Sequence, residues 1–115
     1  MQIKANVWLE KDGQVVLSSW RVSLLEAIEE TGSISAAASK MGVSYRRAWE
    51  KIQESEERLG IKLIETQTGG AGGGGSQLTP QAARYIKQFK ELTSGLNDIV
   101  AQRFNQIFLE EEDIS

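Results

Sequence analysis

The sequence predicts a mainly α fold with a small amount of β structure. Three observations predict it. Between residues 20 and 60, apolar positions recur at helical spacing in three successive segments, each followed by a glycine. Two stretches, 3–17 and 61–79, carry strand-like patterns around a turn-rich centre. A Thr79-Pro80 pair then opens a last segment with a long apolar seam. The chain has 115 residues, about one domain by length. A domain of that size can bury one core without covalent staples.

Residues 1–17 read as a β-hairpin. Ile3, Ala5, Val7 and Leu9 alternate with Lys4, Asn6, Trp8 and Glu10, which is the period of a strand. Lys11-Asp12-Gly13 supplies an Asp-Gly turn, and Gln14-Val15-Val16-Leu17 returns. Ser18 or Ser19 caps the first helix, whose apolar stripe is Trp20, Leu24, Leu25, Ala27 and Ile28. Gly32 ends it. Ser33 caps a short second helix, Ile34 to Met41, whose Ala36-Ala37-Ala38 run lets another helix approach closely. Gly42 stops that helix, and Ser44 caps a third that runs to Leu59 before Gly60. Residues 61–79 then give strand, glycine-rich loop, strand. From Pro80 to 109 the spacing predicts one long helix, weakened at Gly95, with a seam through Ile86, Phe89, Leu96, Val100, Phe104 and Ile107. Residues 110–115 form an acidic tail.

Composition excludes several chemistries. There is no cysteine and no histidine. Disulfides, thiol nucleophiles, zinc fingers and histidine-based triads are therefore out. Glu54 and Glu57 have no partner base, nucleophile or metal set beside them, and surface ion pairing accounts for them. The reading is of a protein that is not an enzyme and holds no cofactor or metal. No apolar run approaches the about 18 residues of a membrane span, and residues 1–6 lack the apolar stretch of a signal peptide. A cytoplasmic protein with no membrane partner is expected. The net charge is −3, which taken alone argues against nucleic acid. Four of the 16 acids lie in the tail, however, and the remainder holds 13 bases against 12 acids.

The second and third helices, joined by Met41-Gly42-Val43-Ser44, form a helix-turn-helix unit. Gly42 supplies the positive φ of the turn, and Val43 packs beneath it. On the third helix Ala48, Ile52, Ser55 and Leu59 share one face. Arg46, Glu50 and Gln53 fall opposite, flanked by Tyr45, Arg47, Trp49 and Lys51. Three bases and one acid occupy its N-terminal half, and Glu54, Glu56 and Glu57 its C-terminal half. That polarity suits a helix whose N-terminal end enters a DNA major groove. Either arginine can fork onto a guanine or clamp a phosphate. Trp49 fits a DNA contact and a packing role equally well. The hairpin at 61–79 completes a winged helix-turn-helix. Thr66, Thr68, Gly70, Gly72 and Ser76 on this wing, with Ser33, Ser35 and Ser44 at the helix caps, are further DNA-contact candidates. Bare glycine amides suit close approach to phosphate. Gly70-x-Gly72-x-x-Gly75 also fits a dinucleotide fingerprint, but the βαβ setting that gives it meaning is missing.

Residues 20–80 resemble the LysR-type winged helix-turn-helix. The carriers are Leu25-x-x-Ile28-x-x-Thr31-Gly32-Ser33-Ile34-Ser35-x-Ala37-Ala38, Met41-Gly42-Val43-Ser44, Glu56-Glu57-Arg58-Leu59-Gly60-Ile61-Lys62-Leu63-Ile64 and Leu78-Thr79-Pro80. Within that group the chain is more similar to the N-terminal domain of ModE-type molybdate-dependent regulators. Ser44-Tyr45-Arg46-Arg47-Ala48-Trp49, the glycine-rich wing and the N-terminal strand pair carry this likeness. The resemblance implies a homodimeric DNA-binding domain whose long last helix forms much of the dimer contact. It also implies molybdate-binding modules beyond this domain, for which the 115 residues leave no room. Molybdate sensing is therefore not carried over, and a signal is expected to arrive through an effector-sensing partner protein.

Two functions follow. The first is a transcriptional regulator that binds double-stranded DNA as a homodimer and reads an inverted repeat with helix 44–59 and wing 61–79. The alternative is a winged-helix protein-interaction module without DNA binding, since a fold does not fix a function.

Overall fold

The computed structural model describes residues 1–67 and 75–109. The wing candidates Thr68, Gly70 and Gly72, and the acidic tail 110–115, lie outside the described residues.

The chain opens with β1 (Trp8–Lys11) and β2 (Gln14–Ser18), an antiparallel pair. Asp12 and Gly13 both take positive φ, 53° and 77°, as a tight Asp-Gly hairpin requires. The hairpin is shorter than its alternation suggests. Residues 1–7 form no strand, because β2 ends at Ser18 and leaves them no partner to pair with. Leu17 sits opposite Leu9 and is buried, and Ser18 caps the next helix by accepting the Arg21 N–H.

Helices α1 (Ser19–Thr31), α2 (Ile34–Met41) and α3 (Tyr45–Leu59) follow. Ser33 and Ser44 cap α2 and α3, as their positions predict. Ala37 and Ala48 are wholly buried in the apolar cluster that joins α1, α2 and α3. Val43 packs against this cluster from the turn.

β3 (Ile64–Gln67) and β4 (Gly75–Leu78) pair antiparallel to make the wing. Buried Glu56 near the end of α3 accepts the Leu63 N–H at 2.8 Å and the Ile64 N–H at 3.2 Å. An acid that by sequence belongs with the outward glutamates is thus a cap for the backbone leading into the wing. Thr79 caps α4 (Pro80–Thr93), and its hydroxyl also donates to the Lys62 carbonyl at 2.8 Å.

The last helix is not continuous. α4 stops at Thr93, Gly95 takes φ 78°, and α5 (Leu96–Phe104) restarts the chain before a π-helical turn over Asn105–Leu109. The Thr93 hydroxyl donates back to the Phe89 carbonyl at 3.0 Å. Local bonds of that kind compete with a continuing helix, and Gly95 adopts the left-handed break at no steric cost. Ile86 and Phe89 are also reassigned. Both are buried in the chain's own core beside Leu17, Leu25 and Leu63, which leaves them little surface to offer a dimer contact. α5 has no buried residue.

Replacing Glu56 with alanine strands two backbone N–H groups, one of them at fully covered Leu63. Each such vacancy costs about 1–3 kcal/mol. Urea unfolding of Glu56→Ala is expected to show a stability loss of about 2 kcal/mol or more.

Candidate nucleic-acid interface

Arg21, in the first turn of α1, sets the position of α3. It is almost entirely covered. One guanidinium nitrogen donates to the Lys51 carbonyl and the Ser55 hydroxyl, both at 2.9 Å. The other donates to Glu54 at 2.9 Å. Lys51 at 3.5 Å and Arg58 at 3.8 Å approach the same Glu54 oxygen, and Arg58 donates to the Val15 carbonyl of β2 at 2.7 Å. The Arg21 hydrogen bond, against the opposing effect of burial, holds the Glu54 carboxyl below the usual carboxylate range. By its position in the sequence Glu54 reads as surface charge, and Arg21 draws no attention. The available signal is an arginine on the covered side of α1, next to Val22.

The opposite end of α3 is open. Tyr45 and Trp49 are about half exposed, at 54% and 45%, one turn apart on the same helix. Trp49 therefore faces solvent and does not pack in the core. Arg47 is exposed, and the Arg46 side chain is 88% exposed while donating to Glu50 at 3.0 Å. An exposed i,i+4 pair of this kind is worth only tenths of a kcal/mol, so Arg46 is easily redirected to a ligand.

The wing stands beside this end. Ser33, Ile34, Ser35, Tyr45, Thr66, Gln67, Gly75 and Ser76 line one open cleft of about 340 Å³. Five of the predicted contact residues are brought together there: Ser33, Ser35, Tyr45, Thr66 and Ser76. Arg46, Arg47, Trp49 and Glu50 lie outside the cleft on the exposed N-terminal end of α3, and three further candidates are placed elsewhere. Lys51 is partly covered and committed to Glu54. Gln53 lies at the far end of α3, in a groove with Glu56, Glu57 and Lys62. Ser44 is occupied as a cap, accepting the Arg47 N–H at 3.1 Å. Gln67 and Gly75 in the cleft lie outside the predicted set. Among the described residues no helix is long and apolar enough to cross a membrane.

Three helices with a glycine turn, a strand-paired wing and an open, arginine-bearing third helix define a winged helix-turn-helix protein. Residues 21–83 match the bacterial regulatory helix-turn-helix protein, lysR family, and the chain belongs to that family.

Several relatives extend the likeness. The molybdenum transport protein ModE of Herbaspirillum seropedicae is 47% identical over 70 residues, covering 61% of this chain and 26% of that protein. ModE of Azotobacter vinelandii is 36% identical over 107 residues, covering 90% and 39%. The DNA-binding transcriptional dual regulator ModE of Escherichia coli K12 is 37% identical over 89 residues, covering 77% and 34%. The chain thus spans between 26% and 39% of the length of these relatives. Among solved structures, the BenM_DBD/benA site 1 DNA complex superposes with a TM-score of 0.54 at 25% identity, covering 72% of this chain and 88% of that one. The CbnR_DBD-DNA complex has the same fold, with a TM-score of 0.55 at 24% identity over 70% of this chain and 90% of that one.

Because the folded-state pKa of Glu54 is depressed, its contribution to stability is complete above the unfolded-state value. That contribution disappears as pH falls through the folded one. Unfolding free energy measured from neutral pH into the acid range is expected to fall less steeply in Glu54→Gln than in the wild type.

Proposed function

We propose that the protein is a cytoplasmic transcriptional regulator that binds double-stranded DNA as a homodimer, with the N-terminal end of α3 in the major groove. The observation that carries this reading is the split character of α3. Two of the three acids of its C-terminal half, Glu54 and Glu56, are consumed by Arg21 and by the wing backbone. Its N-terminal end offers Arg46, Arg47, Tyr45 and Trp49 to solvent beside a hydroxyl-lined cleft. Ser33, Ser35, Thr66 and Ser76 supply neutral hydrogen-bonding groups for the sugar-phosphate backbone. Relatives named as DNA-binding regulators, and a similar chain seen in complex with DNA, support the same reading. The names of the ModE relatives point to molybdenum transport as the process regulated.

Dimerisation through α5 is supported by shape and by apolar exposure. A compact chain of this length has a radius of gyration of about 13 Å, whereas this one has 18.3 Å. Ile3, Ile99, Val100, Phe104, Ile107 and Phe108 border an apolar groove of about 340 Å³ on the projecting end. A second copy related by a two-fold axis would cover it. Val100, Phe104 and Ile107 line that groove and make up the proposed interface, with Leu96 at the start of the same helix. Two reading helices so related require an inverted-repeat site.

Duplexes selected from a random pool by the wild-type protein test both halves. Inverted repeats are expected. The Arg46→Ala, Arg47→Ala double variant should bind them at least about tenfold more weakly, and its salt slope should flatten by about 1 for each phosphate it no longer neutralises. Undiminished binding by that variant would remove α3 from the interface. Phe104→Asp is expected to shift the sedimentation coefficient from dimer to monomer without unfolding the three-helix core.

A further inference from the structure

The wing is attached to the helices at one place that neither the arginines nor the groove explains. The Ser76 N–H donates to the Gly32 carbonyl at 2.8 Å. Gly32 is the left-handed residue that ends α1, with φ 83°, and its own N–H is held by the Ile28 carbonyl at 2.8 Å. The acceptor thus belongs to a residue that the helix end already holds in place. At Gly75, the residue before this bond, a Cβ would stand 3.0 Å from the same Gly32 oxygen. Any side chain there meets a backbone atom that has little freedom to retreat. The Ser76 amide is also turned away from β3, since it is used on α1.

We infer that Gly75 is a positioning residue, whose missing side chain lets β4 dock on the Gly32 carbonyl and so holds the wing strands against the α2 and α3 N-termini as one DNA-facing surface. The inference rests on the DNA-binding reading above and deepens it. It explains why Thr66 and Ser76 share a cleft with Ser33, Ser35 and Tyr45. It also separates this glycine from the run before it. A glycine that only keeps a loop supple tolerates alanine, whereas Gly75 does not. The wing register puts Gly75 opposite Gln67 and Ser76 opposite Thr66, so undocking β4 carries both Thr66 and Gln67 away from the helices. Gly75 touches no DNA in this account and acts through the strand pair.

Two readouts test it, one of them independent of DNA. In the free protein, amide hydrogen exchange at Ser76 is expected to be slow in the wild type and fast in Gly75→Ala and Gly75→Val. The α1–α3 amides should keep their protection in all three. An unprotected Ser76 amide in the wild type, or an equally protected one in Gly75→Val, overturns the docking. For DNA, the probe is a duplex selected by the wild-type protein, used whole and with the base pairs flanking the α3 contact trimmed away. Gly75→Ala is expected to bind the whole duplex about tenfold more weakly, equivalent to about 1.4 kcal/mol. On the trimmed duplex, wild type and variant should bind alike. Equal binding to the whole duplex overturns the positioning role. Failure of the wild type to select any duplex would instead sink the DNA-binding reading, and the exchange result would still decide whether Gly75 docks the wing.

Discussion

A buried guanidinium with no partners would be among the most costly groups a small core could hold. Arg21 avoids that cost because α3 presents a carbonyl, a hydroxyl and a carboxylate within reach of its fork. A planar, always-charged donor set of this kind fixes geometry as well as energy. It determines where along α3 the helix rests on α1. Tyr45, Arg46, Arg47 and Trp49, all N-terminal to Lys51, are then left at the surface. The N-terminal end of α3 is exposed while its other end is held.

The same arrangement bears on the conflict between an acidic chain and the polyanionic partner proposed for it. Net charge is a poor guide when the acids are consumed internally. Glu54 faces three cations. Glu56 serves the wing backbone. Glu26 and Glu30 pair with Lys90 and Lys40, which fastens α4 and α2 to α1. Screened pairs on a surface add little stability. They do offset the negative charge of α1. At the α3 N-terminus only Glu50 accompanies the two arginines.

Local rules make much of the fold legible. Ser33, Ser44 and Thr79 cap where their sequence positions predict, Ser18 rather than Ser19 caps α1, and Gly32, Gly42 and Gly60 take the left-handed conformation that ends each helix. These signals span only a few residues. The failures involve partners far apart in sequence. Ile86 and Phe89 satisfy a dimer seam and a core face equally well by spacing, and only the approach of Leu17 and Leu63 decides between them. Arg21 and Glu54 are 33 residues apart, and no periodicity links them. The Gly95 break is visible in the sequence as a weakness but not as a stop, because one glycine costs a helix only about 1 kcal/mol relative to alanine. The Thr93 back-bond adds to that weakness.

That break also governs how a dimer would work. Were residues 80–109 one rigid rod, the core's grip on Ile86 and Phe89 would fix the direction of the apolar end completely. With the helix interrupted at Gly95, α4 belongs to the core and α5 to the groove beside Ile3. A short hinge separates two packed bodies in this way when a few φ/ψ values can absorb a reorientation. In the proposed dimer the spacing between the two α3 helices would be set by the α5 pairing and by the angle at Ser94-Gly95 together. A rigid rod would demand one half-site spacing. A glycine joint would allow the two heads of the proposed dimer to settle on the spacing a DNA site presents, at the cost of ordering the joint on binding.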